Sequence, residues 1–89
     1  MDFNFDDPKE NQTQYSPNTL IIFYDTLIGK EYLLNAIEEY NATIIYDLKI
    51  INSISIKIPE NANIEDAIEY FQKVEGVLAV NRDAIYQLD

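Results

Sequence analysis

The stretch AIEEYNATIIYDLKIINSISIKIP, residues 36–59, decides the fold. It opens on the last turn of a helix, where Ala36, Ile37 and Tyr40 fall at helical spacing while Glu38 and Glu39 face water. Asn41 tolerates the left-handed backbone that ends many helices. Residues 42–51 then read as a strand, with Ile44, Tyr46, Leu48 and Ile50 on one side and Ile45, Asp47, Lys49 and Ile51 on the other. Asn52 and Ser53 make a tight turn. Ile54, Ile56 and Ile58 alternate with Ser55 and Lys57, the pattern of a half-buried strand, and Pro59 stops it.

Working outward, the helix begins at Lys30, with Leu33 joining its apolar face. Before it, Leu20 to Tyr24 form an apolar, β-rich run after Thr19, and Asp25 to Ile28 make a turn. On the other side, Asn63 is placed to cap a second helix, with Glu65 and Asp66 in its first turn complementing the dipole. Ile64, Ala67, Ile68 and Phe71 mark its buried face, Lys73 its end and Gly76 the break after it. Val77 to Val80 form a last short strand, and the chain runs out through NRDAIYQLD. Residues 1–18 are polar and acidic, with Pro8 and Pro17 and no sustained apolar period, and read as a flexible tail.

The order is strand–helix–strand–strand–helix–strand. Two right-handed crossovers put both helices on one face of a four-stranded antiparallel sheet, an α+β ferredoxin-like βαββαβ domain over residues 19–89. The other sheet face is left uncovered. This scaffold serves many unrelated activities, so the fold does not give the function.

Composition narrows the choice. With 89 residues the chain makes one small domain, which buries only about 60–65% of its unfolded surface. It has no cysteine and no histidine, which removes disulfides, thiolate metal sites and the commonest general base and metal ligand. The net charge of −10 would repel a nucleic acid or an anionic membrane surface, and favours a basic or helix-N-terminus-rich protein partner. The N-terminus has neither the positive region nor the apolar run of a signal peptide, which points to an intracellular protein. The sequons at Asn11 and Asn41 are short enough to arise by chance.

No catalytic constellation emerges. The adjacent acids Glu38–Glu39 and Glu65–Asp66 point in different directions around their helices and read as solvated faces. Asp2, Asp6, Asp7 and Glu10 lack the spacing of a calcium loop. The serines have no histidine partner. The expectation is therefore a non-catalytic domain without metal or cofactor.

From Thr19 onward the sequence resembles the inhibitor I9 family, the prodomains of subtilisin-like serine proteases and their stand-alone inhibitor relatives. The pieces that carry the resemblance are TLIIFYD (19–25), AIEEYNATIIYDLKIINSISIKIP (36–59) and AIEYFQKVEGVLAVNRDAIYQLD (67–89). The resemblance implies a propeptide cleaved by autoprocessing from a serine endopeptidase precursor. It would act first as an intramolecular chaperone and then as a cleft-occluding inhibitor, with the cognate protease domain as its partner.

In that family the open sheet face packs on two surface helices of the protease, and acids after the last strand cap their N-termini. By position this role falls to Asp83, and to Asn81 where the family usually has an acid; Arg82 replaces another common acid. The extended tail, about residues 84–89, would lie in the substrate cleft through Ile85, Tyr86, Gln87, Leu88 and Asp89. A cut after Asp89 places Tyr86 in the apolar pocket four residues before the scissile bond. If Leu88 is the last bound residue, Ile85 takes that pocket. The absent secretion signal and the Asn- and Ile-rich composition are similar to those of clostridial spore-germination protease prodomains. Two alternatives stand beside this reading: a stand-alone I9-type inhibitor, and a small ligand-binding regulatory domain.

Overall fold

The computed structural model describes the backbone over residues 14–85 and the side chains over residues 17–83. The elements are β1 (Gln14–Tyr24), α1 (Glu31–Glu39), β2 (Thr43–Leu48), a 3-10 turn (Lys49–Ile51), β3 (Ser53–Lys57), α2 (Ile64–Gln72) and β4 (Val77–Ile85). The strands form one sheet in the order β2-β3-β1-β4, and every neighbouring pair is antiparallel. This is the expected ferredoxin-like α+β arrangement, in which each helix crosses over an inserted strand.

Strand pairing sorts the side chains by face, because residues opposite one another in antiparallel strands point the same way. One set runs Asp47, Ile54, Ile22, Val80 across the four strands, and a second runs Ile44, Ile56, Leu20, Arg82. Leu20, Ile22, Ile54 and Ile56 are fully buried and share one core with Leu33, Ala36 and Ile37 of α1 and Ala67 and Phe71 of α2. Both helices therefore lie on this face. Phe71 is the largest fully buried side chain. Tyr40 and Tyr70 clasp it, with ring centroids 5.3 and 5.0 Å away.

Local chemistry fixes the helix ends. Asn63 accepts hydrogen bonds at Oδ1 from the backbone N–H groups of Glu65 (2.8 Å) and Asp66 (3.0 Å), so two orphan donors of α2 are satisfied by one side chain. At the end of α1, Asn41 takes φ +62°. The N–H of Asn41 then reaches the Glu38 carbonyl, and that of Ala42 the Ile37 carbonyl, which is a Schellman closure. Asp25 folds the β1–α1 loop, accepting from Leu27 N–H at Oδ1 and from Ile28 and Gly29 N–H at its carbonyl.

Three boundaries differ from the sequence reading. β1 starts at Gln14 rather than Thr19, so part of the expected tail is strand. β4 runs on to Ile85 rather than stopping at Val80. β2 ends at Leu48, and a register shift between Ile44 and Tyr46 breaks its alternation. Ile44 and Asp47 consequently face the helices, whereas Tyr46 and Leu48 face the opposite side. Asn52, in the left-handed region at φ +55°, closes the 3-10 turn that replaces the expected end of β2.

Candidate functional site: the open face of the sheet

The centre of the face away from the helices is built of two cross-strand rows. The first runs Tyr46, Ser55, Ile21, Asn81 and the second Leu48, Ser53, Phe23, Ala79, from β2 to β4. Tall side chains on β2 and β1 alternate with short ones on β3 and β4. The result is a ridge, a trough, a second ridge and a low edge running along the strands. Tyr46 is 63% exposed and Leu48 42%, although both are apolar or nearly so. Ser53 and Ser55 lie buried on the trough floor, shaded by their taller neighbours. The Ser53 hydroxyl has no hydrogen-bond partner among the described residues.

This surface is large, apolar and uncharged at its centre, which is unusual for the outside of a chain with net charge −10. Charge enters at one end, where exposed Lys57 of β3 forms a third row with Thr43 and Thr19 and where Asp83 follows on β4. Lys30, beside the start of α1, pairs with Asp47 of β2 at 2.5 Å on the helix side of the sheet. That hydrogen bond raises the Lys30 pKa above its ordinary value; burial opposes it, and attraction to the Asp47 carboxylate adds to the rise. A groove of about 630 Å³ between the helices is lined by Tyr32, Tyr70, Glu39, Asp66, Glu69 and Lys73, among others. In it, burial raises the Tyr70 pKa, and the nearby Glu39 carboxylate raises it further. Among the described residues no group of three or more Asp, Glu, His or Cys could hold a metal ion, and no helix is long and apolar enough to cross a membrane.

The residues singled out from sequence fall at one end of this face. Asn81 sits on it, exposed, in the row of Tyr46. Asp83, half-buried, follows two residues along β4, and by strand alternation shares that side. Arg82 is paired with Leu20 and so belongs to the helix side. The backbone of Ile85 is paired with Gln14 at the end of β4. Tyr86, Gln87, Leu88 and Asp89 lie outside the described residues. Sequence reasoning missed Tyr46, Leu48, Ile21, Phe23, Ser53, Ser55 and Ala79 as a surface. The signal was faint: three consecutive residues, Ile44, Ile45 and Tyr46, that strict alternation cannot bury on one side.

An antiparallel sheet with both helices on one face leaves a contiguous apolar surface bare on the other, the kind of patch that marks an interaction site. That is the architecture of an I9-like prodomain. Residues 4–81 match the family model described as the fervidolysin N-terminal prodomain, and the chain belongs to this family of subtilisin-like protease prodomains. No curated protein and no solved structure gives a significant match.

Proposed function

We propose that this domain acts on its own protease, as an intramolecular chaperone while attached and as a cleft-occluding inhibitor after cleavage. The relief of the open face is the observation that carries the proposal. Its trough over β3 and its low edge over β4 are two strand spacings apart, or roughly 10 Å. Two helices packed side by side lie 8–10 Å apart. A pair of adjacent surface helices on the protease can therefore lie one in the trough and one along the low edge, with Ile21 and Phe23 filling the space between and Tyr46 and Leu48 flanking the first.

At the end of the face, Asn81 and Asp83 are positioned to accept hydrogen bonds from the free N–H groups that begin those helices. The carboxylate of Asp83 would also meet the positive end of a helix dipole, a contribution of roughly 0.3–1 kcal/mol. The tail beyond β4 then enters the substrate cleft as an added strand, with Ile85 or Tyr86 in the apolar pocket and Leu88 or Asp89 at the last bound position. The domain supplies no catalytic group; its part is to organise the protease helices and to block the cleft.

The test is a titration of the catalytic domain of the same precursor with the purified 89-residue chain, following hydrolysis of a chromogenic peptide. Inhibition that weakens at least tenfold when residues 85–89 are removed supports a tail in the cleft. A full chain that leaves hydrolysis unchanged removes the proposal.

A further inference from the structure

We infer that the first part of β1, residues 14–18, is a clamp that holds the root of the inhibitory tail. This rests on the reading of the tail given above and adds to it the element that controls its order. β1 has eleven residues, whereas β3 has five. Pairing between β1 and β3 starts only at Thr19. The residues before it have a different partner, because Gln14 lies opposite Ile85 and Tyr15 opposite Ala84. Residues 14–15 and 84–85 thus form a two-stranded ribbon that projects past the four-stranded sheet.

β4 is an edge strand, with β1 as its sole neighbour in the sheet order. Beyond Arg82, its backbone pairing within the described sheet is with Gln14 and Tyr15 alone. The tail therefore leaves the domain from a segment whose geometry the N-terminal strand sets.

The joint is also built into the sequence. From Tyr15 to Leu20 β1 takes five steps while β4 takes two, from Ala84 to Arg82, so three extra residues are accommodated in β1. Ser16, Pro17, Asn18 and Thr19 thus stand opposite Asp83 alone. Proline has no N–H to offer a ladder and belongs at such an irregularity. Asn18 takes φ +67°, a left-handed conformation that asparagine tolerates better than most residues. Its carbonyl accepts from the Ile58 N–H at 2.7 Å, which ties the bulge to the end of β3. The ribbon is thus anchored to the core at its base and fixes Ala84 and Ile85 at its tip.

Ordering the tail root before binding removes that entropic cost from the encounter with the protease. It also keeps the bound tail from sampling the conformations in which it would be cut as a substrate. Loss of the N-terminal strand, by truncation or by a proteolytic nick before Pro17, would then be a first step in releasing the enzyme.

The experiment compares the full chain with a chain lacking residues 1–16, using the catalytic domain of the same precursor. Inhibition constant, melting temperature and amide exchange at Ala84 and Ile85 are measured for both. The clamp predicts inhibition weaker by roughly tenfold or more, faster cleavage of the tail, and loss of exchange protection at whichever of Ala84 and Ile85 turns its N–H toward β1, with melting little changed. A second variant, Tyr15→Cys with Ala84→Cys in the full chain, covers the case in which truncation destabilises the core. The two positions are directly opposed, and the chain has no other cysteine. Its oxidised form should inhibit at least as tightly as its reduced form.

Equal inhibition by a folded truncated chain, or weaker inhibition on oxidation of the cysteine pair, overturns the clamp and leaves the inhibitor reading standing. Absence of inhibition by every form overturns the inhibitor reading, and the clamp with it.

Discussion

Replacing Phe71 with alanine should come close to unfolding the free domain. Phe71 is 0% exposed and is the largest of the fully buried side chains. It contacts the Tyr40 ring at 5.3 Å and the Tyr70 ring edge-on at 5.0 Å, and those two rings are themselves 4.8 Å apart. Truncating a buried phenylalanine to alanine costs about 3–5 kcal/mol through lost transfer energy and the cavity left behind. The upper half of that range applies here, because the edge-on contact with Tyr70 is lost as well. A domain of 89 residues is expected to have about 4–13 kcal/mol of stability in total.

A loss of about 4 kcal/mol lowers the ratio of folded to unfolded molecules by about a thousandfold. In a urea titration followed by far-ultraviolet circular dichroism, the midpoint should move down by roughly 2–4 M. Phe71→Leu, which keeps most of the volume, should cost less than about 1.5 kcal/mol. A Phe71→Ala variant within about 1 kcal/mol of the parent would refute the argument that this aromatic cluster holds α1, α2 and the sheet together. The functional consequence is calculable too: the apparent affinity for the protease should fall in proportion to the fraction that remains folded.

Three further outcomes follow from local geometry. Asn63→Ala leaves two N–H groups at the start of α2 without their acceptor, and should cost about 1 kcal/mol, or roughly 4–8 °C in melting temperature. Gly76→Ala should be worse, by about 1–3 kcal/mol. Gly76 takes φ +91°, and an added Cβ would stand 2.9 Å from Cγ2 of Ile28 and 3.3 Å from the Gly29 carbonyl oxygen. A melting curve within 2 °C of the parent, on a scale where ~1 kcal/mol moves a domain this size by several degrees, contradicts either claim. With pH, melting temperature should fall on the alkaline side. Lys30 and Tyr70 both have folded pKa values raised above their ordinary values of 10.5 and 10.0. The stability linked to each is complete below the ordinary value and is lost as pH rises through the folded one. Melting scans between pH 8 and 11.5 should show that decline steepening above about pH 10, and Lys30→Met should make it shallower.

Much of the fold is legible in the sequence where one residue type has one physical use. Asn63 before Ile64-Glu65-Asp66 can hardly be anything but a helix cap, and Asn41 after Tyr40 a left-handed stop; both do what their chemistry suggests. Ile54, Ile56 and Ile58 with Pro59 behind them mark β3 equally well. What escapes the sequence is non-local. The bulge in β2 moves Tyr46 and Leu48 to the open face, and only the pairing with β3 reveals it. Pro17 and Asn18 look like the end of a disordered tail, yet they form a bulge inside a strand, because Gln14 and Tyr15 find a partner some seventy residues away in Ala84 and Ile85.

The relief of the open face was hidden for a related reason. Ser53 and Ser55 look like solvent-facing positions in an alternating strand, yet they are buried, at 0% and 6% exposure. Their small side chains sit below the tops of Leu48, Phe23, Tyr46 and Ile21. Polarity along one strand does not report the height of its neighbours. The caps assigned to Asn81 and Asp83 depend on a second protein, and no pattern within this chain contains that geometry.

The central claim, that the open face is where the protease docks, is tested most directly by one comparison. The catalytic domain is titrated with the parent chain and with Tyr46→Asp, a substitution at a position 63% exposed that the fold should accept. A carboxylate placed on the outer ridge of β2, beside the β3 trough, should weaken inhibition by roughly a hundredfold, as loss of an interface anchor does, while melting temperature stays within a few degrees. Inhibition unchanged by Tyr46→Asp, in a variant that melts like the parent, would contradict the account.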